Sequence, residues 1–361
     1  MPFAKNVLLK GGEGRNGGLV MYAHNNFTLV ANMMIGIKKA VDSVLEYPEV
    51  RPEDYKVVSK FYIVPWAVLN DKENMTKFKN CKFVDYAPQV FYNIRRIFRI
   101  KTLEYARALG PEQLLAVYRG NFKGFTELAS TGKSGSFFYY SYDSKYVLKT
   151  VSEEEFRFFR KMLPTYYKHL RDHPNSLITR FYGCHKIIFY KSGIGRSKNF
   201  RFVIMNNVFS KGEKVHIRYD LKGSTVGRQV LMKPDDIMYI LLFIISDPTI
   251  ARKELDLKNE NRKFKLGKEQ RRFLLETIKN DCIFFEKNNI NDYSLLIGVH
   301  NIEQNESPRN ANCLLDPNVN RLSSSAALIV RRWSVNMHRI SSLALNRVEL
   351  LKSIIWESST S

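Results

Sequence analysis

A glycine-rich segment between two β-like runs is the first place where this sequence could bind phosphate. Residues 131–136 read Thr-Gly-Lys-Ser-Gly-Ser, and the candidate phosphate-binding residues in it are Gly132, Lys133, Ser134, Gly135 and Ser136. Glycines let the backbone approach a phosphate closely, and successive N–H groups with a lysine can surround its negative charge. A nucleotide-binding loop and a simple tight turn are both consistent with this composition.

The segment is not a Walker A loop. That motif needs a glycine where this chain has Glu127, and it needs a helix directly afterwards. Here the aromatic run Phe137–Tyr140 follows instead, and such a run is typical of a strand. A P-loop NTPase is therefore excluded, and a glycine loop of the hairpin type remains.

A lysine in the next β-like run could complete a phosphate site. Lys149 lies in Tyr-Val-Leu-Lys-Thr, residues 146–150, among apolar and β-branched neighbours. A strand lysine that follows a glycine loop can reach the α- and β-phosphates of a nucleotide. The alternative is a solvated strand lysine, but its place directly after the loop favours nucleotide binding.

Two further segments carry ionisable groups in small or apolar surroundings. Residues 219–225 read Tyr-Asp-Leu-Lys-Gly-Ser-Thr and contain Asp220 and Lys222, while Asp292 precedes the apolar run from 293 to 299. A carboxylate in such a setting can act as the base for a hydroxyl or can hold a metal. Residue chemistry alone leaves catalysis and simple ion-paired turns as alternatives.

The N-terminal elements that must position these residues begin with a helix. Apolar residues recur at helical spacing and predict an amphipathic helix from about Thr28 to Val44. Phe61 to Leu69 is predicted to be a strand. Pro88 lies where the missing N–H of proline costs least, which predicts a helix that runs to about Phe98.

From residue 122 onwards the pattern is that of a small antiparallel sheet with one helix against it. Ser152 and Glu155 form the capping-box pattern, so a helix should begin after Ser152. Strands are predicted on both sides of that helix, at 125–129, 136–142, 145–151, 180–188 and 200–205. Further on, a helix is predicted from about Lys268 to Asn288, and the segment 291–300 follows it.

Composition limits the compartment and the partners. The chain has 57 basic and 35 acidic residues and a net charge of +22, which favours a polyanionic partner such as an anionic membrane. No nucleic-acid-binding motif accompanies the charge, so a nucleic-acid partner is not expected. Four widely spaced cysteines form no metal or disulfide pattern and favour a reducing compartment.

Hydropathy adds an expectation about location. The first residues, Met-Pro-Phe-Ala-Lys, lack the apolar core of a signal peptide. The longest apolar run, 237–245, is shorter than the ~20 residues that cross a bilayer. We therefore expect a cytoplasmic protein that is peripheral on the cytosolic face of a membrane.

Seven blocks of this sequence resemble the phosphatidylinositol phosphate kinase family, most closely the phosphatidylinositol-4-phosphate 5-kinases. Their order and spacing match the family from about residue 83 to residue 300. The blocks are 132–138, 148–150, 162–167, 179–183, 203–208, 219–225 and 292–300.

The resemblance implies an α+β, kinase-like two-lobed fold with an antiparallel sheet in the N-terminal lobe and with ATP and Mg²⁺ bound between the lobes. By position, Gly132 to Ser136 match the phosphate loop and Lys149 the ATP lysine. Asn207 and Val208 match the hinge that holds adenine, Asp220 and Lys222 the active-site pair, and Asp292 the catalytic aspartate. Glu155 could pair with Lys149, although helix capping also explains it.

The resemblance also implies a division of the chain. Residues 1–80 would be an N-terminal extension whose amphipathic helix resembles a dimerisation element, so a homodimer is one expectation. Residues 81–210 would form the N-terminal lobe and 211–305 a partial C-terminal lobe. Residues 306–361 would be a divergent tail.

The sequence departs from the family after His300. The family continues to a strand that ends in Ile-Ile-Asp, whose aspartate binds magnesium, and then to a lysine-rich specificity loop; neither is found here. Asp316 is the nearest match to that aspartate, but Pro317 and Asn318 follow it where the family is apolar. The stretch 326–361 resembles nothing in the family, and the apolar insert 237–245 replaces a segment that is usually polar.

These observations lead to a lipid kinase as the first hypothesis. It would transfer the ATP γ-phosphate to phosphatidylinositol 4-phosphate and make phosphatidylinositol 4,5-bisphosphate at an anionic membrane. The alternative is a catalytically incomplete relative that binds phosphoinositide or nucleotide, or that acts as a scaffold.

Overall fold

The computed structural model of the chain places most of the residues that it describes in two β-sheets and the helices that cover them. The residues described are 18–19, 27–44, 49–63, 78–113, 126–129, 137–191, 197–209, 215–223, 251–290, 293–301, 326–335 and 355–357. The predicted α+β class is confirmed.

The larger sheet has eight strands, and every neighbouring pair in it is antiparallel. In sheet order they are β1 (Gly18–Leu19), β4 (Thr126–Ala129), β5 (Phe137–Tyr140), β6 (Tyr146–Val151), β8 (Lys198–Asn206), β7 (Phe181–Lys191), β3 (Phe78–Tyr86) and β2 (Val58–Ile63). Each predicted strand from 125 to 205 is present within a few residues of its expected bounds. The strand predicted from Phe61 to Leu69 is β2, and residues 64–69 lie outside the described part.

Three helices lie near one another beside β2, β3 and β7. They are α1 (Phe27–Asp42), α2 (Pro88–Ile97) and α3 (Thr102–Leu109). The apolar residues whose spacing predicted α1 are buried within the chain, since Met33, Met34 and Ile37 have no exposed surface. The helix approaches β3 so closely that a Cβ atom added at Gly36 would lie 1.9 Å from the ring of Phe83.

The long helix α4 (Glu153–Asp172) begins where the capping box predicted it. The Ser152 hydroxyl accepts the N–H of Glu155, and a Glu155 oxygen accepts the N–H of Ser152. Its apolar face packs on the sheet and on α2, where the rings of Phe159 and Phe181 lie 4.7 Å apart. This arrangement fixes α4 beside β6, the strand that carries Lys149.

The smaller sheet has four strands and belongs to the C-terminal half. Its order is β10 (Ala251–Arg252), β9 (Ile217–Leu221), β12 (Tyr293–Asn301) and β13 (Ala326–Val335). Strand β10 runs parallel to β9, and the other pairs are antiparallel. Strand β13 lies in the stretch that resembles nothing in the family, yet it pairs along the whole of β12.

Two helices and one strand pair complete the described C-terminal half. The short helix α5 (Glu254–Asn259) follows β10, and α6 (Lys268–Lys287) matches the helix predicted from Lys268 to Asn288. Strand β11 (Phe264–Leu266) pairs in parallel with β14 (Ile355–Glu357). In the part of the chain that is described, no helix has the length and apolarity needed to cross a bilayer.

A buried hydrogen-bond network joins α4 to α6. The carboxylate of Asp281, which has no exposed surface, accepts bonds from His169 Nε2 at 2.9 Å, Ser176 Oγ at 2.6 Å and the Leu177 N–H at 2.8 Å. Because a buried carboxylate is costly unless its oxygens are satisfied, this network fixes the C-terminal end of α4 against α6.

Candidate functional site

Lys149 lies on the face of β6 that α4 covers. Its Nζ is 4.0 Å from Glu155 Oε1, and the two side chains are only 12 % and 5 % exposed. The same Nζ lies 5.8 Å from the centre of the Phe138 ring on β5. A lysine held in this way is a fixed positive charge beside the end of the hairpin that carries the glycine loop, as phosphate binding requires.

Glu155 serves both of the roles that the sequence left as alternatives. Its Oε2 accepts the Ser152 N–H at 2.7 Å and closes the capping box, while its Oε1 faces Lys149. The cap therefore orients the carboxylate toward the strand lysine. The helix start and the ion pair are one structural unit.

Asn207 links the end of β8 to the turn between β5 and β6. Its N–H donates to the Lys145 carbonyl at 2.7 Å, and its Nδ2 donates to the Ser144 carbonyl at 2.7 Å. The Phe209 N–H donates to Asn207 Oδ1 at 3.1 Å. These bonds fix the backbone at Val208, which is half-buried and stands at the predicted hinge position.

The polar side of β9 faces the larger sheet. Side chains alternate along a strand, so Arg218 and Asp220 lie on one side and Tyr219 on the buried side. The Arg218 guanidinium is 4.6 Å from the Phe209 ring. Burial raises the pKa of Tyr140 on β5, and the nearby charge of Arg218 opposes that rise. These contacts place the Arg218 side of β9, which also carries Asp220, next to Phe209 and near Tyr140 of the larger sheet.

A sharp turn follows Asp220 and carries Lys222. Gly223 has a φ of 82°, which a residue with a side chain rarely adopts. The N–H groups of Lys222 and Gly223 both donate to Glu254 Oε1, the second at 2.8 Å. One oxygen of Asp220, Oδ1, is fully buried.

Sequence reasoning missed Glu254. It lies 32 residues after Lys222 in sequence, so no local spacing relates the two. The only sequence signal was an acidic residue at the start of a helical segment, and that pattern is common.

Several predicted site residues lie outside the described part of the chain. Gly132, Lys133, Ser134, Gly135 and Ser136 fall in 130–136, Asp292 in 291–292, and Asp316 in 302–325. Strand β12 begins at Tyr293, the residue after Asp292. Among the predicted site residues that the structure describes, Lys149 therefore lies beside Glu155, and Asp220 lies directly before the turn that carries Lys222.

Magnesium prefers carboxylate oxygens, and Asp220 on β9 is the predicted site carboxylate that the structure describes. Across the described ranges, no group of three or more His, Cys, Asp or Glu side chains is placed to hold a metal ion. Strand β13, which reads Ala-Ala-Leu-Ile-Val-Arg-Arg-Trp-Ser-Val, adds no carboxylate beside β12. Asp220 therefore fits as one ligand, and a second carboxylate has to come from another segment.

Comparison with known proteins agrees with the geometry. The family model described as Phosphatidylinositol-4-phosphate 5-Kinase matches residues 120–328. The phosphatidylinositol 4-phosphate 5-kinase of Plasmodium falciparum is 37 % identical over 283 residues, which is 78 % of this chain and 15 % of that protein. Phosphatidylinositol 4-phosphate 5-kinase 7 of Arabidopsis thaliana is 37 % identical over 299 residues, 81 % of this chain and 35 % of that protein.

A third relative, a phosphatidylinositol 4-phosphate 5-kinase of Schizosaccharomyces pombe, is 31 % identical over 310 residues. That match covers 84 % of this chain and 38 % of the relative, so the chain spans less than half the length of these curated relatives. The family match includes Lys149, Glu155, Asn207, Asp220 and Glu254. The chain belongs to the phosphatidylinositol-4-phosphate 5-kinase family.

Proposed function

We propose that the chain is a lipid kinase that phosphorylates phosphatidylinositol 4-phosphate at the 5-hydroxyl, giving phosphatidylinositol 4,5-bisphosphate. The observation that carries the proposal is the buried pair of Lys149 and Glu155, held by a capped helix beside the glycine-loop hairpin. The names of the relatives support the choice of substrate. ATP is the phosphate donor that this arrangement fits.

Each group has a role in the proposed transfer. Lys149 and the loop from Gly132 to Ser136 bind the phosphates, and the backbone at Val208 holds the adenine. The inositol hydroxyl oxygen attacks the γ-phosphorus while the bond to the β–γ bridging oxygen breaks and ADP leaves. The hydroxyl proton passes to the Asp292 carboxylate.

Asp220 and Lys222 complete the site between nucleotide and lipid. The carboxylate of Asp220 would be one ligand of Mg²⁺, which would neutralise charge on the transferring phosphate when bound. Lys222 is placed two residues further on, where its charge can meet the anionic headgroup.

The proposal includes attachment to the surface of an anionic membrane from the cytoplasmic side. The net charge of +22 supports it, since each Lys or Arg near such a surface contributes roughly 1 kcal/mol. A homodimer formed by the N-terminal extension is also proposed. Because the apolar side chains of α1 are used inside the chain, dimer contacts would come from other residues of that extension.

The test is phosphate transfer from radiolabelled ATP to vesicles that carry each phosphatidylinositol monophosphate in turn. Wild type should label the 4-phosphate most strongly. Asp292→Asn should lose roughly 10²–10⁴-fold of that activity, the usual contribution of a general base. ATP binding, measured as a melting shift, should stay nearly unchanged because other groups hold the nucleotide.

Asp172→Asn is the matched control, since Asp172 is an exposed aspartate at the end of α4 and should retain full activity. Full activity of Asp292→Asn would contradict the assignment of the base. A folded wild type that binds ATP and labels no monophosphate would instead indicate the catalytically incomplete relative.

A further inference from the structure

A buried carboxylate lies against the backbone that follows Asp220. Glu254, the first residue of α5, is 3 % exposed. Its Oε1 accepts the N–H groups of both Lys222 and Gly223. Hydrogen bonds to an ionised acceptor are about twice as strong as neutral ones, so this contact is a strong restraint on the turn.

The turn is shaped to receive that carboxylate. The backbone torsions of Lys222 set the angle between these two successive N–H groups, and the φ of 82° at Gly223 directs the chain away from the carboxylate after them. Without Glu254, the two N–H groups would lose this acceptor in a part-buried place, which weakens the restraint on the turn.

The segment 251–260, which contains Glu254, also contacts β9 on the other side of Asp220. Tyr219 donates its hydroxyl to Glu260 Oε2 at 2.5 Å, and Arg252 donates to Glu260 Oε1 at 2.5 Å. Ala251 and Arg252 pair in parallel with Arg218 and Tyr219. The segment 251–260 therefore contacts residues 218–219 of β9 and also residues 222–223 of the turn that follows β9. Asp220 lies between these two contacts.

We propose that Glu254 is a positioning residue that fixes the backbone of the Lys222 turn and thereby fixes the positions of Asp220 and Lys222. It acts through the backbone of these residues and touches neither ATP nor lipid. This role rests on the proposed lipid kinase function. A displacement of a catalytic group by about 1 Å can cost roughly 100-fold in rate, so the restraint matters for turnover.

The experiment compares three variants of the full chain. Glu254→Ala removes the acceptor, and Glu254→Gln keeps a neutral carbonyl oxygen in its place. Asp256→Ala is the matched control, because Asp256 accepts the Lys253 N–H at 2.9 Å and caps the same helix without reaching the turn through that bond. Melting temperature identifies variants that fail to fold.

Two readouts are combined. Amide hydrogen exchange in a peptide that covers 219–223 should be roughly tenfold faster in Glu254→Ala, with a smaller increase in Glu254→Gln. On vesicles with phosphatidylinositol 4-phosphate, Glu254→Ala should lose roughly 10- to 100-fold in kcat with little change in the KM for ATP. Glu254→Gln should recover part of that loss, and Asp256→Ala should keep kcat close to wild type.

Three outcomes would overturn the role of Glu254. One is unchanged exchange at 219–223 in Glu254→Ala, and another is faster exchange with an unchanged kcat. The third is an equal loss of kcat in Asp256→Ala, which would make the effect a general one of α5. An inert wild type would contradict the proposed lipid kinase function, and the exchange data would then decide alone whether Glu254 fixes the turn.

Discussion

At the scale of single residues, the pair formed by Lys149 and Glu155 shows how one carboxylate can do two things. Oε2 of Glu155 caps the helix, and Oε1 of the same carboxylate faces Lys149. The start of α4 therefore sets the position of the lysine charge on the neighbouring strand. Removing the lysine charge alone should therefore affect nucleotide binding more than folding.

Lys149→Met tests this, because methionine keeps the apolar stem next to Phe138 and removes only the charge. A saturating nucleotide at 100 times its Kd stabilises a protein by about 2.7 kcal/mol. We expect the ATP-induced melting shift to disappear in Lys149→Met. Lys198→Met, at an exposed strand lysine in the same sheet, should retain it. A full shift in Lys149→Met would contradict the assignment.

The buried thiols predict how stability depends on alkaline pH. Burial raises the pKa of Cys81 to about 12 and raises the pKa of Cys184 well above its ordinary value. An unfolded thiol ionises near pH 8.5 while the folded one stays neutral, so stability is complete below that pH and is lost as pH rises toward 12.

At pH 10 the loss is about 2 kcal/mol for each such thiol. Urea unfolding at pH 8 and pH 10 measures it. Cys81→Ala should lower stability at both values, and its further loss between pH 8 and pH 10 should be smaller than that of wild type by about 2 kcal/mol. The same pH dependence in Cys81→Ala and wild type would contradict this interpretation.

At the scale of elements, local signals predicted most of the larger sheet and its helices. The capping box at Ser152 and Glu155 located the start of α4, and runs of aromatic and β-branched residues located β5 and β6. Strand β13 was not predicted, because an Arg-Arg pair interrupts its apolar run and falls where the register with β12 shifts between Leu295 and Ile297. Glu254 was missed because its contact depends on tertiary folding.

The contact between α1 and β3 gives a prediction at this scale. Alanine is favoured over glycine inside a helix by about 1 kcal/mol. At Gly36 the added Cβ would lie 1.9 Å from the Phe83 ring, so overpacking should outweigh the gain and destabilise by about 1–3 kcal/mol. Thermal unfolding measures the difference.

Lys39→Ala, on the exposed side of the same helix, is the control and should change stability little. Equal stability of Gly36→Ala and wild type would contradict the close contact.

At the scale of the whole molecule, the network around Asp281 connects the part of the chain with Lys149 to the part with Asp220. Three hydrogen bonds reach the Asp281 carboxylate from His169, Ser176 and Leu177. Asp281→Ala should destabilise the folded chain by about 3–5 kcal/mol, the usual cost of breaking a buried polar network. Urea unfolding should show it, with exposed Glu286→Gln on α6 as the control; a loss no larger than that of the control would exclude this role.

Net charge gives a prediction for the intact molecule on membranes. The Debye length shrinks from about 10 Å at 0.1 M salt to about 3 Å at 1 M, so attraction due to a charge of +22 should weaken steeply. Sedimentation with anionic vesicles over that range should show binding at low salt and release at high salt. Binding that resists 1 M salt would point to an apolar contact instead, with 237–245 as the first segment to delete.

The bonds to Asp281 also determine where the two sheets can turn relative to each other. A movement that separates the end of α4 from α6 would break the hydrogen bonds to the buried carboxylate of Asp281. A rotation centred on that carboxylate would keep those bonds. Displacement in a rotation grows with distance from the axis. The turn between β5 and β6 would move little, because Asn207 and Asn206 bond it to Arg180, close to the residues that contact Asp281. The opposite ends of the same two strands, at Phe137 and Val151, lie beside the start of α4 and would move further.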